Sequence, residues 1–283
     1  MADIRAVRNA GSLVGLLIAG MASAAGPAPQ AWAVVAPIAP SESQPAAPID
    51  VPSEASRLES ALVDEVPNLI VDRPKAAQEW IARASAMVGA SGMSLDRPQL
   101  LVIVDRNPRV QQMRLILAQP QGQWEDLGGT KVSTGRPAGY EHFLTPMGVF
   151  LHTDAILDWR AEGTFNVHHI RGLGVQGMRV WDFGWQRAVK GRKSRTKVGE
   201  MRLLMHATDP QYLDKRLGRA ASDGCIRIPE AMNFFLDRHG VLDADYEQAA
   251  KQDARFEKVL LPDRTTTPLA GDALVVIDSS QPG

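Results

Sequence analysis

The chain has 283 residues, with 31 Lys and Arg against 32 Asp and Glu, and a formal net charge of −1. That balance removes any global electrostatic argument for a nucleic-acid partner, and no segment beyond the N-terminus is apolar enough to cross a bilayer. One cysteine, Cys225, is present, so in an exported chain it is a free thiol that needs an explanation.

Export is expected from residues 1–33. Arg5 and Arg8 precede the apolar run GSLVGLLIAGMASAA, and small-residue patterns follow at Ala22-Ser23-Ala24 and Ala31-Trp32-Ala33. A positive head, a short apolar run and a small-x-small end describe a secretory signal peptide, which places the chain in the periplasm or cell envelope. The alternative, an uncleaved anchor, is disfavoured because the run is short and interrupted. Residues 34–74 are rich in Pro, Ala, Ser and acids and read as a flexible spacer, with room for one short helix at about 56–66. Residues 75–96 form a helical lead-in, since Ala77, Trp80, Ile81, Ala84, Met87 and Val88 recur at helical spacing.

From residue 97 the texture becomes β-like. QLLVIVD, QMRLILAQ, GGTKVSTG, TPMGVFLH, EMRLLMHA and CIRI read as strands, the fifth ending at His206. Residues 153–197 are irregular and rich in Gly and Trp, and are expected to form a flap. PEAMNFFLDRHG reads as a helix with Pro229 as its first residue and Gly240 as its stop. Residues 241–283 add a further helix after Asp243 and a last strand, DALVVIDS, packed on the domain. The fold class expected is mainly β, a sandwich or barrel-like domain over 97–240 with a few flanking helices.

In an extended DGCIRI, side chains alternate. Ile226 and Ile228 then face the core, while Cys225 and Arg227 share the other face. A cysteine beside a cation and upstream of a helix N-terminus is expected to favour thiolate. An inert, packed cysteine remains the alternative. A nucleophilic cysteine needs a base, and His206 at the end of a buried strand is the best placed of six histidines.

His206, fifteen intervening residues, then Ser222-Asp223-Gly224-Cys225-Ile226-Arg227 resembles the signature of the L,D-transpeptidase (YkuD-type) catalytic domain. KVSTGRP resembles the Ser-Thr-Gly strand end of that family, and TPMGVF its Thr-Pro-x-Gly-x-Phe. The resemblance covers about residues 97–240. It implies a YkuD-like fold and a peptidoglycan L,D-transpeptidase. His206 would take the proton of Cys225, and the Ala207 carbonyl would orient the imidazole. The thiolate would attack the carbonyl after the third stem centre, with oxyanion support from amides around Gly224 and Cys225. Ser222, Asp223 and Arg227 are the expected substrate-binding residues, and peptide stems the expected partner. No metal or organic cofactor is implied. Water as acceptor gives a carboxypeptidase or endopeptidase with the same dyad, and a catalytically silent wall-binding module is the alternative from another class. Asp223 departs from the family, which usually has histidine there. It could oppose thiolate formation, pair with Arg227 or orient His206.

Other motifs carry less. GLGVQG at 172–177 matches G-x-G-x-x-G but precedes a strand, not a helix. SRTK at 194–197 matches S-x-x-K without the companion K-T-G. His152, His168 and His169 lack companion ligands at a recognisable spacing. The basic run at 187–197 is expected to be a solvated loop, with attraction of anionic wall polymer as the sharper reading. Trp159, Trp181 and Trp185 could line a groove or fill the core.

Overall fold

Strand β1, Gln99–Asp105, is buried along its whole length, as a central strand covered on both faces must be. The structure is a computed structural model that describes residues 48–136, 142–191 and 197–281. β1 pairs antiparallel with β2, Gln112–Ala118, and β2 with β3, Glu125–Lys131. Its other edge pairs in parallel with the last strand, β9, Ala273–Ile277, which pairs antiparallel with β4, Gly148–Leu151. The first sheet thus runs β3-β2-β1-β9-β4.

The second sheet has the order β5-β6-β7-β8, from Trp159–Arg160, Arg179–Val189, Val198–Ala207 and Ile226–Ile228. β6 and β7 are antiparallel, and β7 and β8 are parallel. Alternate residues of the two sheets meet in one core, including Leu100, Val102, Leu115, Trp181, Leu203, Met205, Ile226 and Val276. Past the end of β3 the chain crosses to the second sheet, where Ser133 bridges Arg227 and Gly135 bridges Ser222. This crossing joins the sheets along one edge and anchors the segment before Cys225. Among the described residues the fold is mixed α/β, with nine strands in two sheets and five α-helices.

Several expectations need correction. Helix α1, Val51–Glu65, lies within the expected spacer. Asp50 caps it, its side chain accepting from the Ser53 amide at 3.3 Å. Ala55, Leu58, Leu62 and Val66 recur at helical spacing and enter the main core. Burying each leucine stabilises by about 1.5–3 kcal/mol, which is why this stretch folds with the domain despite its Pro- and Ala-rich neighbourhood. Helix α2, Pro74–Ser91, lies on the outer face of the first sheet through Trp80, Ala84 and Val88. The expected flap is shorter than 153–197. Its second half is β6, an eleven-residue strand with Trp181 fully buried, whose alternation is hidden by a register shift between Asp182 and Trp185. Helix α3, Glu230–Arg238, follows Pro229. The C-terminal part forms α4, Ala244–Ala250, and α5, Ala254–Val259, and its strand β9 lies inside the first sheet instead of on its surface. Residues 1–33 and 194–196, which carry the export signal and most of SRTK, lie outside the described residues.

Candidate active site

The register of β7 against β8 brings the dyad residues together. Met205 lies opposite Ile226, His206 opposite Arg227, and Ala207 opposite Ile228. Met205, Ile226 and Ile228 belong to the core. His206 and Arg227 therefore stand side by side on the other face, and Cys225, two residues before Arg227, shares it diagonally from His206.

The imidazole of His206 is 3% exposed. Its Nδ1 lies 2.6 Å from the Ala207 carbonyl, so Nδ1 carries the proton and Nε2 is left as the acceptor. Burial, helped by the charge of Arg227 and opposed by that hydrogen bond, pulls its pKa down to about 4. The ring is then neutral at pH 7 and able to accept a proton.

Cys225 is half-buried. Among the described residues its Sγ makes no hydrogen bond to His206 and instead approaches the Arg202 carbonyl at 3.9 Å. The expectation of a favoured thiolate is not met. Burial pushes the thiol up; the Leu204 amide and Arg227 lower it, while Asp223 and Asp182 raise it. Desolvation by the surrounding protein outweighs the pull of the cation. At neutral pH the group is therefore a thiol.

The turn before Cys225 is held by its carbonyls. The Ser222 carbonyl accepts from the Arg136 amide at 3.0 Å and the Asp223 carbonyl from the Phe143 amide at 3.0 Å. The Gly224 carbonyl accepts from Thr145 Oγ1 at 2.6 Å, and the Cys225 carbonyl from Ser222 Oγ at 2.5 Å. Gly224 has a φ of 143°, and a Cβ there would meet Met201 at 2.8 Å, so only glycine fits. The Gly224 amide is tied to Ser222 Oγ at 3.2 Å. Among the described residues the amides of Asp223 and Cys225 donate to nothing.

Ser222 was expected to touch substrate, but it is fully buried and its hydroxyl both donates and accepts within the turn. It fixes the loop. Asp223 pairs with neither Arg227 nor His206. Its carboxylate lies 2.5 Å from His142 Nδ1 and 3.7 Å from Arg136. His142 is the residue that sequence reasoning missed, because nothing in its local sequence marks it and its partner lies far along the chain. Among the described residues the Arg227 guanidinium has one hydrogen bond, at 3.4 Å to the Ala221 carbonyl, and its buried Nε has no partner.

His152 is buried between Asp158, at 2.9 Å, and the Leu242 carbonyl, at 2.6 Å. His168 and His169 lie on an exposed turn, and no group of His, Cys, Asp and Glu among the described residues could hold a metal. The segment at 172–177 is a turn leading into β6, not the start of a helix. Trp159 is half-buried with the Arg202 guanidinium 5.9 Å from its ring, and Trp185, 69% exposed, pairs with Arg202 in the sheet register. A cavity of about 1020 Å³ lies elsewhere, between the end of α1 and the start of α3, and is lined by neither Cys225 nor His206. Compared with known proteins, the chain matches no family model and no curated sequence.

Proposed function

We propose that this chain is an exported cysteine acyltransferase of the L,D-transpeptidase (YkuD) type, acting on peptidoglycan peptide stems. The observation that carries the reading is the turn at 222–225, which holds a thiol, its amide without an acceptor among the described residues, on the same face as a neutral imidazole. His206 Nε2 takes the thiol proton as sulfur adds to the stem carbonyl, and the carbonyl π pair moves to oxygen. The tetrahedral adduct collapses, and the departing amine takes the proton from the imidazolium. A thioester on Cys225 remains. An acceptor amine then displaces the thiolate to complete the exchange; water in its place gives the carboxypeptidase or endopeptidase outcome.

The unpaired Nε of Arg227 supports a carboxylate of the stem as its partner. Asp223, exposed two residues before the thiol and already held by His142 and Arg136, supports a role for that trio beside the substrate.

The test is incubation with a stem tetrapeptide followed by intact-mass and product analysis. The expected result is an acyl adduct on Cys225, loss of the terminal D-amino acid and its exchange for an added amine. The Cys225→Ala variant should do none of this, and unchanged exchange by that variant would end the assignment. One observation favours a second reading, a catalytically silent wall-binding module: burial raises the thiol, and no hydrogen bond joins it to His206. Binding of stem fragments without any adduct would select that reading.

A further inference from the structure

We infer that Thr145 is a positioning residue that aims the Cys225 amide at the developing oxyanion. This rests on the cysteine-acyl reading above and concerns a residue that touches neither sulfur nor imidazole in the described contacts.

The peptide unit joining Gly224 to Cys225 is planar and trans, so its N–H points opposite to its C=O. Whatever fixes the Gly224 carbonyl also fixes the direction of the Cys225 amide. That carbonyl is held at 2.6 Å by the hydroxyl of Thr145, a fully buried side chain. The hydroxyl is itself oriented, because it accepts from the Gly135 amide at 2.9 Å. One lone pair of Oγ1 is occupied by that amide, which directs its single proton to Gly224. Gly135 allows the approach: a Cβ there would lie 2.0 Å from the Phe143 carbonyl and 3.0 Å from the Gly224 Cα. The relay therefore runs from the Gly135 amide through the Thr145 hydroxyl to the Gly224 carbonyl, and each member has few alternatives.

The other end of the same peptide unit is free, as the Cys225 amide donates to nothing among the described residues. Covalent geometry keeps a residue's own N–H close to its own sulfur. When Sγ bonds to an acyl carbon, the oxygen that receives the π pair comes within reach of that N–H. An oriented donor at this point acts only on charge that develops during addition, and lost alignment costs rate without costing ground-state binding. Phe143 and Arg136 amides hold the two preceding carbonyls, so the turn as a whole survives removal of the Thr145 hydroxyl.

The experiment compares two reactions of Cys225 in the full chain. Acylation by p-nitrophenyl acetate forms the S–C bond through an oxyanion and releases p-nitrophenolate. Alkylation by iodoacetamide displaces iodide at a saturated carbon and forms no oxyanion. Thr145→Val keeps the shape and removes the hydroxyl. The expected result is acylation slower by about 10- to 100-fold with alkylation, across the pH profile, within about twofold of wild type. Thr145→Ser should restore acylation to within about threefold. If Thr145→Val does not fold, Thr145→Ala, which removes the hydroxyl without adding a second thiol, should show the same divergence of the two rates. Acylation that is unchanged, or both rates falling together, overturns the inference. A wild-type protein that releases no more p-nitrophenolate than Cys225→Ala instead sinks the acyltransferase reading itself.

Discussion

Two polar regions of this molecule lie close in the second sheet and differ in one respect. Around Arg179, which is fully buried, charge is matched by charge: its Nε lies 2.8 Å from Asp158, Nη1 3.4 Å from Asp237 and Nη2 3.2 Å from Asp243. Arg160 and Arg264 pair with Asp237 and Asp243, and His152 with Asp158. Burial alone would lower His152, but Asp158 and Asp243 outweigh it and hold the ring above its ordinary value. Around Cys225 the pairing is incomplete. Arg227 keeps a buried Nε without a partner, and two amides of the turn donate to nothing described. A polar cluster whose charges face one another joins elements together. One that leaves donors without a described partner near a half-buried thiol does not serve to join elements in the same way. His152 and His206 both close an expected strand, and in the fold their surroundings differ: His152 lies between Asp158 and the Leu242 carbonyl, His206 against the Ala207 carbonyl.

The first way to break this contrast is at Arg179. Arg179→Ala leaves Asp158, Asp237 and Asp243 buried without their common partner and should cost about 3–5 kcal/mol, read as a lowered urea midpoint or failure to fold. A loss under about 1 kcal/mol would remove the structural role.

His206→Gln should lower acyl transfer by roughly 10²- to 10⁴-fold, measured as thioester formation, while folding at pH 7 is kept. The same variant sharpens the contrast through pH. In the folded chain His206 titrates at about 4 and its ordinary value is 6.5. Between those values the unfolded chain binds the extra proton, so this group's contribution is complete above pH 6.5 and is lost as pH falls toward 4. The full loss is roughly 3 kcal/mol. Asp272, pushed up to about 6 by burial, acts in the opposite sense over part of that window. The difference between wild type and His206→Gln in urea titrations at pH 7 and pH 4.5 isolates the imidazole, and equal pH slopes would contradict its burial as a neutral ring.

Arg227→Met should change stability by less than about 1 kcal/mol, because it removes a charge that nothing buried depends on. It should still slow thiol alkylation by a few fold, since Arg227 lowers the thiol. A stability loss like that of Arg179→Ala would place it in the structural class. The smallest effect is expected from Asp223→Asn. Asp223 raises the thiol, so its neutralisation should speed alkylation by about twofold at low salt and less at high salt, because the carboxylate is largely exposed. Slower alkylation would mean that its pairing with His142, and not its charge, governs the thiol.

Much of the site could be read along the chain because it is local. Alternation in CIRI separated Cys225 and Arg227 from Ile226 and Ile228, and an apolar strand ending at His206 proposed the base. The glycine before the cysteine was legible as a backbone requirement. The thiol's resting state was not, since it depends on how much protein surrounds the sulfur. Nor were the roles of Ser222 and Asp223, whose partners are the turn's own backbone in one case and His142 in the other. Helix α1 was legible in part: a short helix at about 56–66 was expected, but its start at Val51 and its packing into the main core were not, because its inward residues are spread through Pro-, Ala- and acid-rich composition. The start of strand β6 was expected after 172–177, but its continuation to Val189 was not, because the register shift between Asp182 and Trp185 interrupts the period-two pattern.

The amino-acid sequence by itself determined most of the strands, the two faces of CIRI, and the presence of a thiol and an imidazole of the residue types that can act as nucleophile and base. These follow from periodicity and side-chain chemistry, which need no distant neighbour. Only the tertiary structure decided that β9 lies between β1 and β4, that Thr145 holds the Gly224 carbonyl, and that His206 is neutral while His152 is paired. Those outcomes depend on desolvation and on hydrogen-bond partners tens of positions away, and no local stretch of chain contains either.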